Sequence, residues 1–248
     1  MNRKLENASN LYLEGIRDGN AREAVTRYTG RRYTQHSTGV RNGVEGFVEF
    51  FEAFLERNPV RDIRILRSIV DGQYVFLQVF QDINNGEAQW VTTDLFDTDQ
   101  DDRIIEHWDV ISAFTSAEDT DEDQIGGASE IEDPDSTDDN KEIVRNFLCD
   151  VMLLGQRKRL ETYLNPAALL EHRAAGVAPF TDYLGHYDLV FKIIGQGNFV
   201  AAYSRVVVDD QAIARMDLFR LRDGHIEEVW VNQETILPKS EWGNGGKF

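Results

Sequence analysis

The second half of this chain restates the first. His36 follows Gly19 by 17 positions and His172 follows Gly155 by the same interval, with Ala24, Val25 and Tyr28 answered by Leu160, Tyr163 and Leu164. Val70-Asp71-Gly72-Gln73-Tyr74-Val75 is echoed by Ile194-Gly195-Gln196-Gly197-Asn198-Phe199-Val200. Thr93-Asp94-Leu95-Phe96 matches Met216-Asp217-Leu218-Phe219, and Ile105-Glu106-His107-Trp108 matches Glu227-Glu228-Val229-Trp230. Agreement in order across separated blocks marks a duplication, so the chain must fold as two like units. Its 248 residues then divide into halves of ordinary domain size.

Between the halves lies an acidic connector. From Ala117 to Asn140 there are eleven acids and no base, and its Gly126-Gly127 pair and scarcity of large apolar residues leave it too little to bury for a core of its own. The boundaries expected are residues 1–116, a connector over 117–136, and 137–248. The net charge of -18 repels a phosphate backbone and argues against a nucleic-acid partner. Lysines number six against twenty arginines, a bias that suits a high-salt cytoplasm. No run approaches the roughly 18 apolar residues of a membrane span, and the N-terminus lacks the apolar stretch of a signal peptide. The reading is a cytoplasmic protein with no membrane partner. The single Cys149 gives no disulfide framework and is expected to be buried on the apolar side of a helix over 140–154.

Each copy opens with helical periodicity and ends in strands. Phe47, Phe50, Phe51, Phe54 and Leu55 recur at helical spacing after Asn42-Gly43. Strands are expected near 62–70, 74–82, 88–96 and 103–114, with Asp71-Gly72 and Asn84-Asn85-Gly86 as hairpin turns. The second copy places turns at Gly195-Gln196-Gly197, Asp209-Asp210 and Asp223-Gly224. The fold class is therefore α+β, helices followed by a curved antiparallel meander.

Helices followed by such a meander, with Tyr33-Thr34-Gln35-His36 after the second helix and Asp94-Leu95-Phe96 leading to Ile105-Glu106-His107-Trp108-Asp109, resemble the nuclear-transport-factor-2-like superfamily. Within it the chain is most similar to SnoaL-like proteins, the group that contains polyketide cyclases catalysing intramolecular aldol condensation. The resemblance spans both copies and implies two tandem cone-shaped domains, paired as an intrachain pseudo-dimer. It also implies an acid/base role for Asp109, by its match to the family's aspartate one residue beyond a histidine like His107. The family pattern has a histidine where this sequence has Asp94, and the second copy has Val229 and Val231 where the first has His107 and Asp109.

In a strand, His107 and Asp109 share one face and Trp108 takes the other. The catalytic candidates are Asp109 as general base and acid, His107 as its orienter or an oxyanion donor, and Asp94 as a second, protonated donor. A carboxylate in an apolar cone has its charged form disfavoured, which suits proton transfer near neutral pH. Tyr33, His36, Trp90 and Thr92 are the expected ligand-binding residues, with Phe47 and Phe51 as the apolar wall. No metal or other cofactor is implied, because no His or Cys lies at ligand spacing from His36 or His172. The plainer alternatives are a solvent-facing His107–Asp109 pair, Asp94 and Asp217 bonding loop amides, His36 and His172 ending helices, and Trp108 and Trp230 packing in the core. Three functions stay open: a cofactor-free cyclase or isomerase acting on a small, largely apolar carbonyl compound, a non-catalytic small-molecule binding module, and a structural pseudo-dimer scaffold.

Overall fold

The computed structural model describes residues 2–116 and 123–248. The start of the acidic connector, 117–122, lies outside the described residues. Contacts divide the chain into two units, one of Met1–Ala113 with Leu237–Phe248 and one of Phe114–Ile236.

In the first unit helix α1 (Arg3–Asn10) starts where the Asn2 side chain accepts the amides of Lys4 and Leu5. It continues through Leu11–Arg17 in the wider π geometry, where the Asp18 amide reaches back to the Leu13 carbonyl at 2.9 Å. That widening buries Leu11, Tyr12, Gly15 and Ile16 on one face, a spacing that an α-helix would spread further apart. Helix α2 (Ala21–Tyr28) buries Ala21, Ala24, Val25 and Tyr28, and helix α3 spans Gly43–Arg57. Gly46 lies so close to the Arg41 carbonyl that a Cβ there would clash with it, so this helix start tolerates no side chain.

The sheet comprises β1 (Thr29–Gln35), β2 (Arg61–Asp71), β3 (Tyr74–Ile83), β4 (Ala88–Thr98) and β5 (Ile104–Ala113), in the order β1-β5-β4-β3-β2. The expected meander is strands β2 to β5, all antiparallel neighbours. The turns carry the backbone that Gly and Asn supply, with φ of +59° at Gly72 and +53° and +59° at Asn84 and Asn85. Strand β1 is an addition to the sequence reading, and it pairs parallel to β5 at the edge. Thr-Gly-Arg-Arg-Tyr-Thr-Gln has no apolar alternation, so a short edge strand left no periodic signal.

The second unit repeats this order. Helix α4 (Thr137–Phe147) runs into a π segment at Leu148–Leu153, followed by α5 (Leu160–Tyr163), β6 (Leu170–His172), β7 (Tyr187–Gln196), β8 (Phe199–Val208), β9 (Gln211–Arg222) and β10 (His225–Thr235). Its sheet order, β6-β10-β9-β8-β7, is the first unit's order in a second copy. A short 3-10 turn, Phe180–Tyr183, stands in the chain where the first unit has α3.

Two expectations change. The sequence groups residues 237–248 with 137–236, but they belong to the first unit, because Gly243 and Asn244 bond the backbone of Ser37, Thr38 and Val40. Cys149 is exposed, because the helix turns π after Phe147 and shifts the phase of the buried face. The described part of the connector is docked within the second unit: Trp230 Nε1 donates to the Gly126 carbonyl at 2.8 Å, and the Glu132 amide donates to Asn198.

Candidate functional site

The first unit encloses a cavity of about 100 Å³ between α3, the π segment and the sheet. Tyr33, Thr92, Trp90, Phe47, Phe51, His107 and Asp109 line it, all of them residues singled out from sequence. The aromatic wall is packed ring on ring, with Phe47 and Phe51 centroids 4.3 Å apart and Phe50 edge-on to Phe51 at 5.0 Å. Half-exposed Phe50 and Ile111 stand at its rim. Asp94 lies behind this lining, fully buried, and is the direct cross-strand partner of Asp109, so the two carboxyls project from one face of the sheet.

His36 is the exception. Tyr33 and Gln35 share the cavity face of β1, so His36, next along, points to the other side. There it stacks on Trp108 at 4.9 Å and bonds Glu106 at 2.9 Å. His172 does the same in the second unit, stacked on Trp230 at 4.9 Å and bonded to Glu228 at 2.8 Å. This histidine is a structural device kept in both copies.

A chain of hydrogen bonds runs along the cavity wall. The Tyr12 hydroxyl donates to Asp94 Oδ1 at 2.8 Å, the same oxygen lies 2.8 Å from His107 Nε2, and His107 Nδ1 lies 2.9 Å from Gln35 Oε1. Gln35 Nε2 then donates to the Tyr33 hydroxyl at 2.7 Å. Since that amide donates to Tyr33, its carbonyl faces His107 and Nδ1 carries the hydrogen. One proton is thus shared between Nε2 and Asp94. Burial pushes Asp94 up, His107 and Tyr12 pull it down and Asp109 adds to the rise, leaving it above the ordinary carboxylate range. Its Oδ2 is buried with no hydrogen-bond partner among the described residues, which fits a neutral carboxyl better than an anion. The Tyr33 hydroxyl accepts from Gln35, and its own hydrogen goes to none of the described side chains. Burial, then Asp94 and Asp109, hold that phenol well above its usual range, so it stays a donor.

Asp109 has a different environment. The sequence reading paired it with His107 and expected burial to raise it. Burial does push it up, but Lys247 and His107 pull harder, aided by a hydrogen bond from Ser37, and it lies below the ordinary carboxylate value. Lys247 Nζ sits 2.8 Å from Asp109 Oδ1 and 3.0 Å from the Asp109 carbonyl, itself almost wholly buried. The two carboxyls therefore divide, Asp94 upward and Asp109 downward. Among the described residues no three His, Cys, Asp or Glu side chains converge as a metal site.

The family model of the SnoaL-like domain matches residues 11–107, from the π segment to His107. The first unit is a SnoaL-like domain. Solved structures similar to the chain include a candidate polyketide cyclase from Bacillus cereus ATCC 10987, at 16% identity over 44% of this chain and 74% of that one, with a TM-score of 0.40. Others are an epoxide hydrolase of M. tuberculosis (16% identity, 44% and 83% covered, TM-score 0.37) and a candidate SnoaL-like isomerase from Agrobacterium tumefaciens (16% identity, 46% and 100% covered, TM-score 0.39). No curated protein matches the sequence significantly.

Asp109 lies just past the matched stretch of the SnoaL-like domain, and Lys247 is 138 residues further on. Sequence reasoning missed Tyr12, Gln35 and Lys247. Tyr12 could have been found only by allowing a π phase in the first helix, and Gln35 by treating Thr29–Gln35 as a strand in which Tyr33 and Gln35 share the inward face.

Proposed function

We propose that the SnoaL-like domain of the first unit is a cofactor-free acid/base site for small carbonyl compounds, moving a proton on and off the carbon beside the carbonyl. The observation that carries this is one apolar cavity with an ionised carboxylate, Asp109, and a phenol hydrogen with no protein acceptor among the described residues, Tyr33, both in its lining. A carbonyl oxygen bonded by Tyr33 presents its neighbouring carbon to Asp109. Asp109 takes the proton, and the electron pair moves onto oxygen as an enolate, where the Tyr33 hydrogen bond stabilises the developing charge. Gln35, donating to the Tyr33 oxygen, holds that donor in place while His107 and Asp94 fix Gln35. Return of the proton to the same or another carbon completes an exchange or an isomerisation; attack of the enolate on a second carbonyl in the same molecule is the aldol alternative.

Size narrows the substrate. An engineered apolar cavity of about 150 Å³ holds benzene, so about 100 Å³ suits a molecule of roughly one small ring. The test is hydrogen–deuterium exchange at the carbons beside the carbonyl of cyclopentanone in D₂O, followed by proton NMR. The protein should accelerate it, and Asp109→Asn should remove about 100- to 10,000-fold of the acceleration. Equal exchange by the variant removes Asp109 from the role of base. A carboxylate held low is a weaker base, and this favours one second reading, a binding module; binding of cyclopentanone with no acceleration in the parent protein selects it.

A further inference from the structure

We propose that Lys247 is a positioning residue of this site, a cation that the last residues of the chain carry to Asp109 and that decides which of the two buried carboxyls is the anion. The proposal rests on the reading of Asp109 as proton acceptor. Asp94 and Asp109 are directly opposed on β4 and β5, and two like charges so close in an apolar wall do not both form readily. Burial alone pushes both upward and distinguishes neither.

The groups facing Asp109 come from every packed element: His107 on its own strand, Asp94 on β4, Tyr12 on the π segment, Tyr33 on β1, Ser37 in the following loop, and Lys247. Two of these are phenols held protonated, one is a hydroxyl, and His107 is committed to Asp94 and Gln35. Lys247 is the fixed cation of the set. It also orients: one ammonium bonds both the side-chain oxygen and the carbonyl of Asp109, which restrains the carboxyl against its own backbone.

The segment is tied down for this task. The Gly243 amide donates to the Thr38 carbonyl at 2.9 Å, and Asn244 Nδ2 donates to the carbonyls of Ser37 and Val40. The Gly246 carbonyl lies 2.6 Å from His36 Nδ1, and Gly246 itself takes φ of +95°, which a side chain would resist. Its anchors, Ser37 and Val40, also line the cavity, so segment, lining and base form one assembly. An ammonium so fully buried needs such compensation, and a merely adherent tail would leave its lysine in water.

Carbon-detected NMR of the aspartate carboxyls tests this in the full-length protein, with Asp109→Asn to assign the signal. In Lys247→Met the Asp109 midpoint should rise by at least a factor of ten in proton affinity, and in Lys247→Arg it should stay below the ordinary carboxylate value. The pH at which cyclopentanone exchange reaches half its maximum should move up with it. If Lys247→Met does not fold, Asn244→Ala loosens the segment without touching the pair and should shift the midpoint the same way by less. An Asp109 midpoint unmoved in Lys247→Met, or in Asn244→Ala where that is the folded variant, overturns the proposal. Absence of exchange from the parent protein, with the midpoint still shifting, refutes the base reading and leaves the role of Lys247 supported.

Discussion

Asp94 in the first unit and Asp217 in the second occupy matching places, both fully buried, and the two sheets satisfy them in opposite ways. Asp94 takes neutral or shared-proton donors, Tyr12 and His107, and the residue two before it is the small Thr92. Asp217 takes Arg215, which holds the place of Thr92, together with Tyr187 at 2.5 Å. The Arg215 guanidinium is wholly buried, 2.8 Å from Asp217, bonded to Gln233 and 4.1 Å above the Tyr183 ring. Burial works against its charge, but Asp217 outweighs that and holds it above its usual range. Across the strand, Asp109 has become Val231 and His107 has become Val229. One fold position thus either serves a cavity or is filled by an ion pair, and a two-residue sequence interval on one strand makes the difference.

The largest expected effect breaks that contrast in the second unit. Arg215→Met leaves Asp217 buried without its cation and should cost about 3–5 kcal/mol in chemical denaturation, while cyclopentanone exchange in the first unit persists. A cost below about 1 kcal/mol would show that the guanidinium is not what fills the second unit.

The stacked His–Trp devices sharpen the contrast by a smaller amount. Glu228 is almost fully buried, and although burial raises it, His172 and Arg220 bring it down to about 2. Glu106 bonds His36 and Arg32 with its side chain partly in water. Glu228→Gln should therefore cost about 2–3 kcal/mol, and Glu106→Gln under about 1 kcal/mol. Equal losses would mean that burial does not separate the two.

These contrasts show why some of the molecule could be read from sequence and some could not. The meander was legible because Gly72, Asn84-Asn85-Gly86, Asp209-Asp210 and Asp223-Gly224 announce their turns locally, and every one of these residues adopts positive φ. Trp90, Thr92, His107 and Asp109 of the cavity lining followed from strand alternation. The position of His36 did not, because β1 carries no apolar rhythm and its facing is set by pairing with β5. The burial of Arg215 has no local signal in the sequence, since nothing nearby reports that a partner two residues on is buried with it. Lys247 is joined to Asp109 across 138 positions, a contact that no window along the chain can contain.

The smallest effect is a change of slope with pH. Asp94 is raised in the folded protein, so the stability it contributes is full below the unfolded value of about 4 and is lost as pH rises through its folded midpoint. Asp94→Asn removes that loss, so relative to the parent the variant should gain with rising pH by about 1.4 kcal/mol for each unit by which the midpoint is raised. Asp109, held low, has the opposite sign: its contribution is present above about pH 4 and is lost as pH falls through its lowered midpoint. Stability curves of the two asparagine variants that run parallel with pH would contradict the division of the carboxyls.

The most direct measurement is a crystal structure of the full-length protein soaked with cyclopentanone. The account predicts the ketone in the first unit's cavity, its ring against Phe47, its oxygen within hydrogen-bond reach of the Tyr33 hydroxyl and the neighbouring carbon beside Asp109, with Arg215 filling the matching place in the second unit. An empty first cavity, or a ketone seated with its oxygen turned away from Tyr33, contradicts it.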